Sequence, residues 1–249
     1  LKQIRADVHV LTLTATPIPR TLQLALSGVK EMSIIATPPV DRLAVRTFIL
    51  PFDPLIVREA IMRERFRGGQ IFYVCPRIAD IEELEKELKE LVPDLKIAVA
   101  HGQMGAGALE DIMTGFYEGR TELLLSTQIV ESGLDIPTAN TIIMNRADKF
   151  GLAQLHQLRG RVGRSHHQAY AYLLVDEDRK LTSNAKKRLE AIQLMEDLGA
   201  GYHLAMHDLE IRGAGELLGD NQSGQMHEIG FSLYMDMLNH AIKQLKKGE

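Results

Sequence analysis

The segments 45-VRTFIL-50, 54-PLIVREAIMRERF-66 and 70-QIFYVC-75 follow one another directly, and their order decides the fold. Two short runs rich in β-branched and aromatic residues flank one longer stretch that opens on proline. That is the pattern of strand, helix, strand. The alternation continues downstream. Strand-like runs recur at Ile97–Ala100, Glu122–Ser126, Thr141–Asn145 and Ala169–Val175, and helix-like stretches at Ile81–Leu91, Ala108–Tyr117 and Ala153–Leu158. A repeated βαβα order predicts an α/β fold with a doubly wound, mostly parallel sheet. Crossovers are expected to be right-handed, and ligands to sit off the carboxyl ends of the strands.

Upstream, Val8–Thr14 (VHVLTLT) reads as a strand cut off by Pro17 and Pro19. Its sheet neighbours are not in the sequence, and the chain starts at Leu1. Residues 1–27 are therefore expected to be the tail of an incomplete first domain, in a piece of a longer protein. Residues 28–44, with Pro38 and Pro39, read as a linker, and 45–179 as the main domain. The pattern changes after Asp176. Thr182–Leu198 is expected to be an amphipathic helix stopped by Gly199 and Gly201. A glycine-rich stretch, 211–219, precedes a last helix over about 229–247. Residues 180–249 thus form a helical extension.

The 249 residues are 45% hydrophobic and 25% charged, which excludes a disordered or fibrous chain. Net charge is −4, so the chain as a whole is no basic tail and local charge must identify any nucleic-acid surface. A single cysteine, Cys75, excludes a disulfide framework, and the expected setting is a reducing cytoplasm. No apolar run approaches the ~18 residues of a membrane span. His156, His166 and His167 lack Cys or carboxylate partners at zinc spacing, and no metal site is expected. Cys75, at an apolar strand end, is expected in the core.

The sharpest chemical signal is 157-QLRGRVGR-164. Three arginines in so short a span offer rigid donor forks suited to phosphate oxygens. An arginine aimed at a transferring phosphoryl group stabilises transition-state charge. The competing reading is a solvated basic helix face. Around this motif, residues 146–167 carry Arg146, Lys149, Arg159, Arg161 and Arg164 against Asp148. Such a patch fits phosphate contacts that are blind to base sequence. The segment 80–94, with seven acids against two lysines, reads as a solvated helix face.

QLRGRVGR resembles motif VI of superfamily-two helicases and translocases, which hold ATP between two RecA-like domains. Other motifs agree in order. Thr14–Pro17 resembles motif III, at the end of the first domain. Gln70–Pro76 resembles motif IV, His101–Met104 the motif after it, and Ser126–Pro137 motif V. The segment 14-TATPIPRTL-22 is shared by two bacterial branches, the RecG-type branch-migration helicases and the transcription-repair coupling factors. The segments 145-NRADKFGLAQLH-156, 165-SHHQAY-170 and 208-DLEIRGAGE-216 resemble the second branch more closely. The chain departs from the family at Gly105–Ala108, where charged residues are usual, and the change removes charge from that loop.

The resemblance implies a fold and roles. Residues 45–179 would be the second RecA-like domain, and 180–249 a translocation-motif hairpin and hook. Gln157, Arg161 and Arg164 would be catalytic, and Gly133 and Asp135 would face the nucleotide together with the two arginines. Ser126, Thr127, His101, Gln103 and Arg146 would contact DNA. Thr14, Thr16, Arg20, Arg188, Arg212 and Gln222 would couple nucleotide state to movement. Strand-end capping remains the alternative for Ser126 and Thr127, and helix-surface charge for Arg188, Arg212 and Gln222. ATP and Mg2+ would be held mainly by the first domain, because no G-x-x-x-x-G-K-[S/T] occurs in the sequence.

The expected function is an ATP-dependent double-stranded DNA translocase. It would displace stalled RNA polymerase and recruit excision-repair proteins through other parts of the parent, with no membrane role. This chain alone is expected to be inactive. A RecG-type helicase and a non-enzymatic DNA- or protein-binding module are the alternatives.

Overall fold

The computed structural model of the chain describes residues 11, 13, 32–33, 43–127, 136–176, 181–195, 204 and 208. Six strands, β1 (Arg46–Pro51), β2 (Gln70–Val74), β3 (Ile97–Ala100), β4 (Leu123–Ser126), β5 (Ala139–Met144) and β6 (Tyr170–Val175), form one sheet. Its order is β1-β6-β5-β2-β4-β3, and every pairing is parallel rather than mostly so. The helices are α1 (Pro54–Phe66), α2 (Ile81–Leu91), α3 (Ala106–Tyr117), α4 (Leu152–Arg159) and α5 (Ser183–Leu194).

The layers follow from residue pattern. Every residue of β2, β4 and β5 is buried, as a sheet covered on both faces demands. Ile71, Tyr73, Leu125 and Ile143 pack under Val57 and Ile61 of α1 and Leu84 and Leu88 of α2. On the opposite face Phe72, Leu124, Ile142 and Leu173 pack against Phe116 of α3, Leu155 of α4 and Ile192 of α5. Each such fully buried side chain contributes about 1.5–3 kcal/mol of transfer free energy.

Local signals set the helix ends. Asp53 accepts a hydrogen bond from the Leu55 amide at 2.8 Å, and Pro54 opens α1. Thr182 accepts from the Ala185 amide in the same way at α5. The α1 and α2 boundaries match the expected ones, whereas α3 starts at Ala106 and α4 gains a residue at each end. Two 3₁₀ turns, Ile78–Asp80 and Ala147–Lys149, were not expected, since so short a turn has no hydrophobic period. Leu11 and Leu13 are exposed and lie outside any strand. This corrects the strand expected over Val8–Thr14 at those two residues, where no described strand supplies a ladder. The helix expected over Thr182–Leu198 instead runs from Ser183 to Leu194, where Met195 leaves helical geometry and Arg159 takes up the carbonyls of Ile192 and Met195.

Candidate functional site

All-parallel pairing brings the six carboxyl ends to one end of the sheet. Val74 pairs with both Ser126 and Met144, and Ala100 pairs with Ser126. The next residues along these strands are Cys75, His101, Thr127 and Asn145, which therefore form one rim. The Cys75 amide donates to the Ser126 carbonyl at 2.9 Å and the Asn145 amide to the Val74 carbonyl at 2.8 Å. Of the residues expected at DNA, Gln103 is exposed, His101 and Thr127 are half-buried, and Ser126 is buried. The Ser126 hydroxyl and His101 Nδ1 have no hydrogen-bond partner among the described residues.

Arg146 stands beside this rim with unusual backbone. Its φ of 51° is the only positive value for a non-glycine residue among those described. Non-glycine residues in that region are uncommon and cluster at functional sites. The guanidinium reaches Asp80 at 3.6 Å, and Arg77 also pairs with Asp80 at 2.7 Å. The Asp80 carboxylate thus holds Arg146 at the rim. Burial, with Asp80 next in effect, pushes the Cys75 thiol up to about 11. Cys75 is a neutral core residue rather than a nucleophile.

The arginine motif lies toward the opposite end. Because β5 and β6 are parallel neighbours, the segment between them must return to the amino-terminal end of the sheet. Gly163 has φ 74°, and a Cβ there would come within 3.0 Å of Val45, just before β1. Ser165 donates to Asn140, at the start of β5. The expectation that ligands gather at the carboxyl ends therefore suits His101, Thr127 and Arg146 but not Arg164. The basic stretch 146–167 is not one patch but two, separated by the height of the sheet.

The three motif arginines differ. Arg159 is buried. Its guanidinium donates to the carbonyls of Ile192 and Met195, both at 2.5 Å, and to the Thr47 hydroxyl at 3.4 Å. It closes the carboxyl end of α5 and sits too deep for a nucleotide. Sequence reasoning missed this role, although Leu152, Leu155 and Arg159 recur on one buried helical face. Arg161 and Arg164 are half-buried and Gln157 is exposed. Arg164 donates from Nε to the Gly160 carbonyl at 3.2 Å.

Arg188 on α5 donates to the Asp148 carbonyl at 3.2 Å, next to the Arg146 turn. Helix α5 is thus tied to the arginine motif through Arg159 and to the rim through Arg188. Burial, then the Arg159 charge, lowers His156 to about 4, so its imidazole is neutral. Among the described residues no group of three or more His, Cys, Asp or Glu is placed to hold a metal. No helix there is long and apolar enough to cross a membrane. Thr14, Thr16, Arg20, Gly133, Asp135, Arg212 and Gln222 lie outside the described residues.

Residues 54–166 match the helicase conserved C-terminal domain. Over 248 residues the chain is 60% identical to the transcription-repair-coupling factor of Escherichia coli, covering 100% of this chain and 22% of that protein. The factors of Haemophilus influenzae and Myxococcus xanthus are 57% and 56% identical over 100% and 99% of this chain, and 22% and 20% of theirs. The chain therefore spans about a fifth of the length of these relatives. Among solved structures, RecG bound to a three-way DNA junction superposes with TM-score 0.69 at 35% identity, over 88% of this chain and 30% of that one. Saccharomyces cerevisiae Dbp5 bound to RNA and ADP BeF3 gives 0.56 at 18% identity, over 78% of this chain and 50% of that one, a likeness of fold alone.

Proposed function

We propose, from the chain's place in the transcription-repair-coupling-factor family, that it is the second motor half of an ATP-driven double-stranded DNA translocase. The match along the whole chain at up to 60% identity carries this reading. In the parent, that motor would act on RNA polymerase stalled on DNA and bring excision-repair proteins to it through parts outside this chain. Residues 45–179 are the second RecA-like domain, 180–249 the translocation extension, and 1–44 the end of the first domain with its linker.

The two ends of the sheet divide the work. At the carboxyl rim, His101, Gln103, Thr127 and Arg146 contact the DNA backbone. Such contacts carry no base information, which suits a motor that must slide. At the other end Arg161 and Arg164, with Gln157, face the phosphate end of ATP, where a guanidinium stabilises charge on the transferring phosphoryl group. The donor set fits that task. Two guanidiniums suit phosphate oxygens, and Mg2+ is held mainly by the first domain, as the resemblance implies. Gly133 and Asp135 belong to the same nucleotide-facing set. Between the two ends lies α5, gripped by Arg159 and Arg188, and with Arg212 and Gln222 it relays nucleotide-driven closure to DNA movement.

The test is ATP turnover by the parent on duplex DNA with Arg161→Ala. A loss of about 10³-fold or more is expected for a transition-state arginine. Unchanged turnover removes Arg161 from the transition state, and a parent with no turnover at all favours the binding module. The isolated chain, lacking the phosphate-binding loop, is expected to show no DNA-stimulated turnover. A RecG-type activity is the second reading, favoured by the 0.69 superposition. Parent protein that unwinds branched DNA but leaves stalled polymerase in place supports that reading instead.

A further inference from the structure

The ladder between β2 and β5 breaks at its first step. Gln70 pairs with Ala139 and Ile71 with Thr141, so Asn140 is skipped and forms a bulge. Bulges are rare between parallel strands, and the extra residue loses its ladder partner while its side chain is re-aimed. Asn140 is buried, so its amide must find partners inside the fold. Nδ2 donates to the Pro137 carbonyl at 3.2 Å and, at 3.5 Å, to that of Thr138. Oδ1 accepts from the Ser165 hydroxyl at 3.0 Å. A carbonyl only accepts, so the amide nitrogen faces Pro137 and the oxygen is left for Ser165.

Ser165 directly follows Arg164. Residues 160–169 lie in neither helix nor strand, so no regular ladder sets their course. Side-chain ties do so instead. Beyond the Gly163 turn the segment is tied at two points. One is Ser165 on Asn140, and the Ser165 oxygen also accepts from the His167 amide at 3.3 Å. The other is the Gln168 carbonyl, which accepts from Arg67 at 2.8 Å. Arg67 is oriented by the buried Glu64 at 2.6 Å, and Glu64 accepts from Thr141, the residue after the bulge. Both ties lead back to the start of β5.

We propose that Asn140 is a positioning residue for the arginine motif: its amide, aimed by the bulge, fixes the backbone just after Arg164 and so sets Arg161 and Arg164 at the nucleotide. The proposal rests on the nucleotide-facing role given to those arginines above. Asn140 acts through Ser165 and not by contact with the reacting atoms. A misplacement of about 1 Å at a group that acts in the transition state costs up to about 10²-fold. Loss of the tie therefore appears in kcat rather than in KM for ATP.

The experiment is DNA-stimulated ATP turnover by the full-length parent. Ser165→Ala removes the tie at a half-buried position. It is expected to lower kcat about five- to tenfold with KM for ATP changed less than about twofold. Ser165→Thr, which keeps the hydroxyl, is expected to retain wild-type kcat. Asn140→Ala is expected to lose as much as Ser165→Ala, and the double variant no more than either, because both remove one link. Where Asn140→Ala does not fold, the two Ser165 variants decide. On an Arg164→Ala background Ser165→Ala is expected to cost less than about twofold, whereas a role confined to folding would cost the same on either background. Wild-type kcat in Ser165→Ala overturns the proposal, as does a loss that Ser165→Thr shares or that multiplies with Arg164→Ala. Full turnover in both Arg161→Ala and Arg164→Ala overturns the nucleotide-facing reading itself, and this proposal with it. Loss in those two variants with full turnover in Ser165→Ala overturns this proposal alone.

Discussion

Arg159, Arg161 and Arg164 have one side-chain chemistry and two fates. Arg159 points inward because it continues the Leu152–Leu155 face of α4, and burial of its cation is compensated by the carbonyls of Ile192 and Met195. Arg159→Ala removes those charged hydrogen bonds and leaves the carbonyls without that donor. A loss of about 2–4 kcal/mol in urea unfolding is expected. Arg159→Lys is expected to recover little, since an ammonium cannot span both acceptors. A wild-type urea midpoint in the alanine variant would contradict this role. His156 gives a pH prediction. Its pKa is about 4 in the folded chain and near 6.5 in the unfolded one. Between those values the unfolded chain holds more protons, so this contribution is complete above about pH 6.5 and is lost as pH falls toward 4. His156→Gln is expected to flatten the fall in melting temperature between pH 7 and 5. An unchanged slope removes His156 as its cause.

Helix α5 is held at two places by single side chains, Arg159 and Arg188, as well as by Leu189 and Ile192 in the core. It is therefore an element whose position both ends of the sheet can bias. Arg159→Ala is expected to raise amide hydrogen exchange across Ser183–Leu194 at least tenfold more than in β2, at the sheet centre. Equal loosening of β2 would mean global unfolding rather than release of one helix. Elements of this kind were only partly legible in the sequence. The α1 boundaries were readable because Asp53–Pro54 starts the helix and Gly68–Gly69 ends it. The turn Ala147–Lys149 was not, since it depends on Arg146 adopting a left-handed backbone. Nothing in its own sequence requires that conformation.

Across the whole molecule, the parallel sheet separates Arg146 at its carboxyl rim from Arg164 toward its other end, the two ends proposed above for DNA and for nucleotide. In the parent, Arg146→Ala is expected to weaken binding uniformly across duplex sequences. It should also reduce the slope of log K against log salt by about one, the signature of one lost phosphate contact. Sequence-selective loss, or an unchanged slope, would place Arg146 off the backbone. Asp80→Ala tests the same point from the other side. Removing the carboxylate that shares Arg146 is expected to lower affinity less than removing Arg146 itself.

The amino-acid sequence alone determined the alternation of strands and helices, the parallel order it imposes and the residue types at the rim. Those features are encoded locally, in periods of two and 3.6 residues and in motifs read along the chain. Only the tertiary structure decided that Arg159 is a structural clamp, that Asp80 holds Arg146, and that the basic stretch 146–167 splits between two ends of the sheet. Each of these depends on which distant segments the sheet order brings together: Thr47 and Met195 around Arg159, and the turn after β2 beside the turn after β5. No local pattern records that pairing.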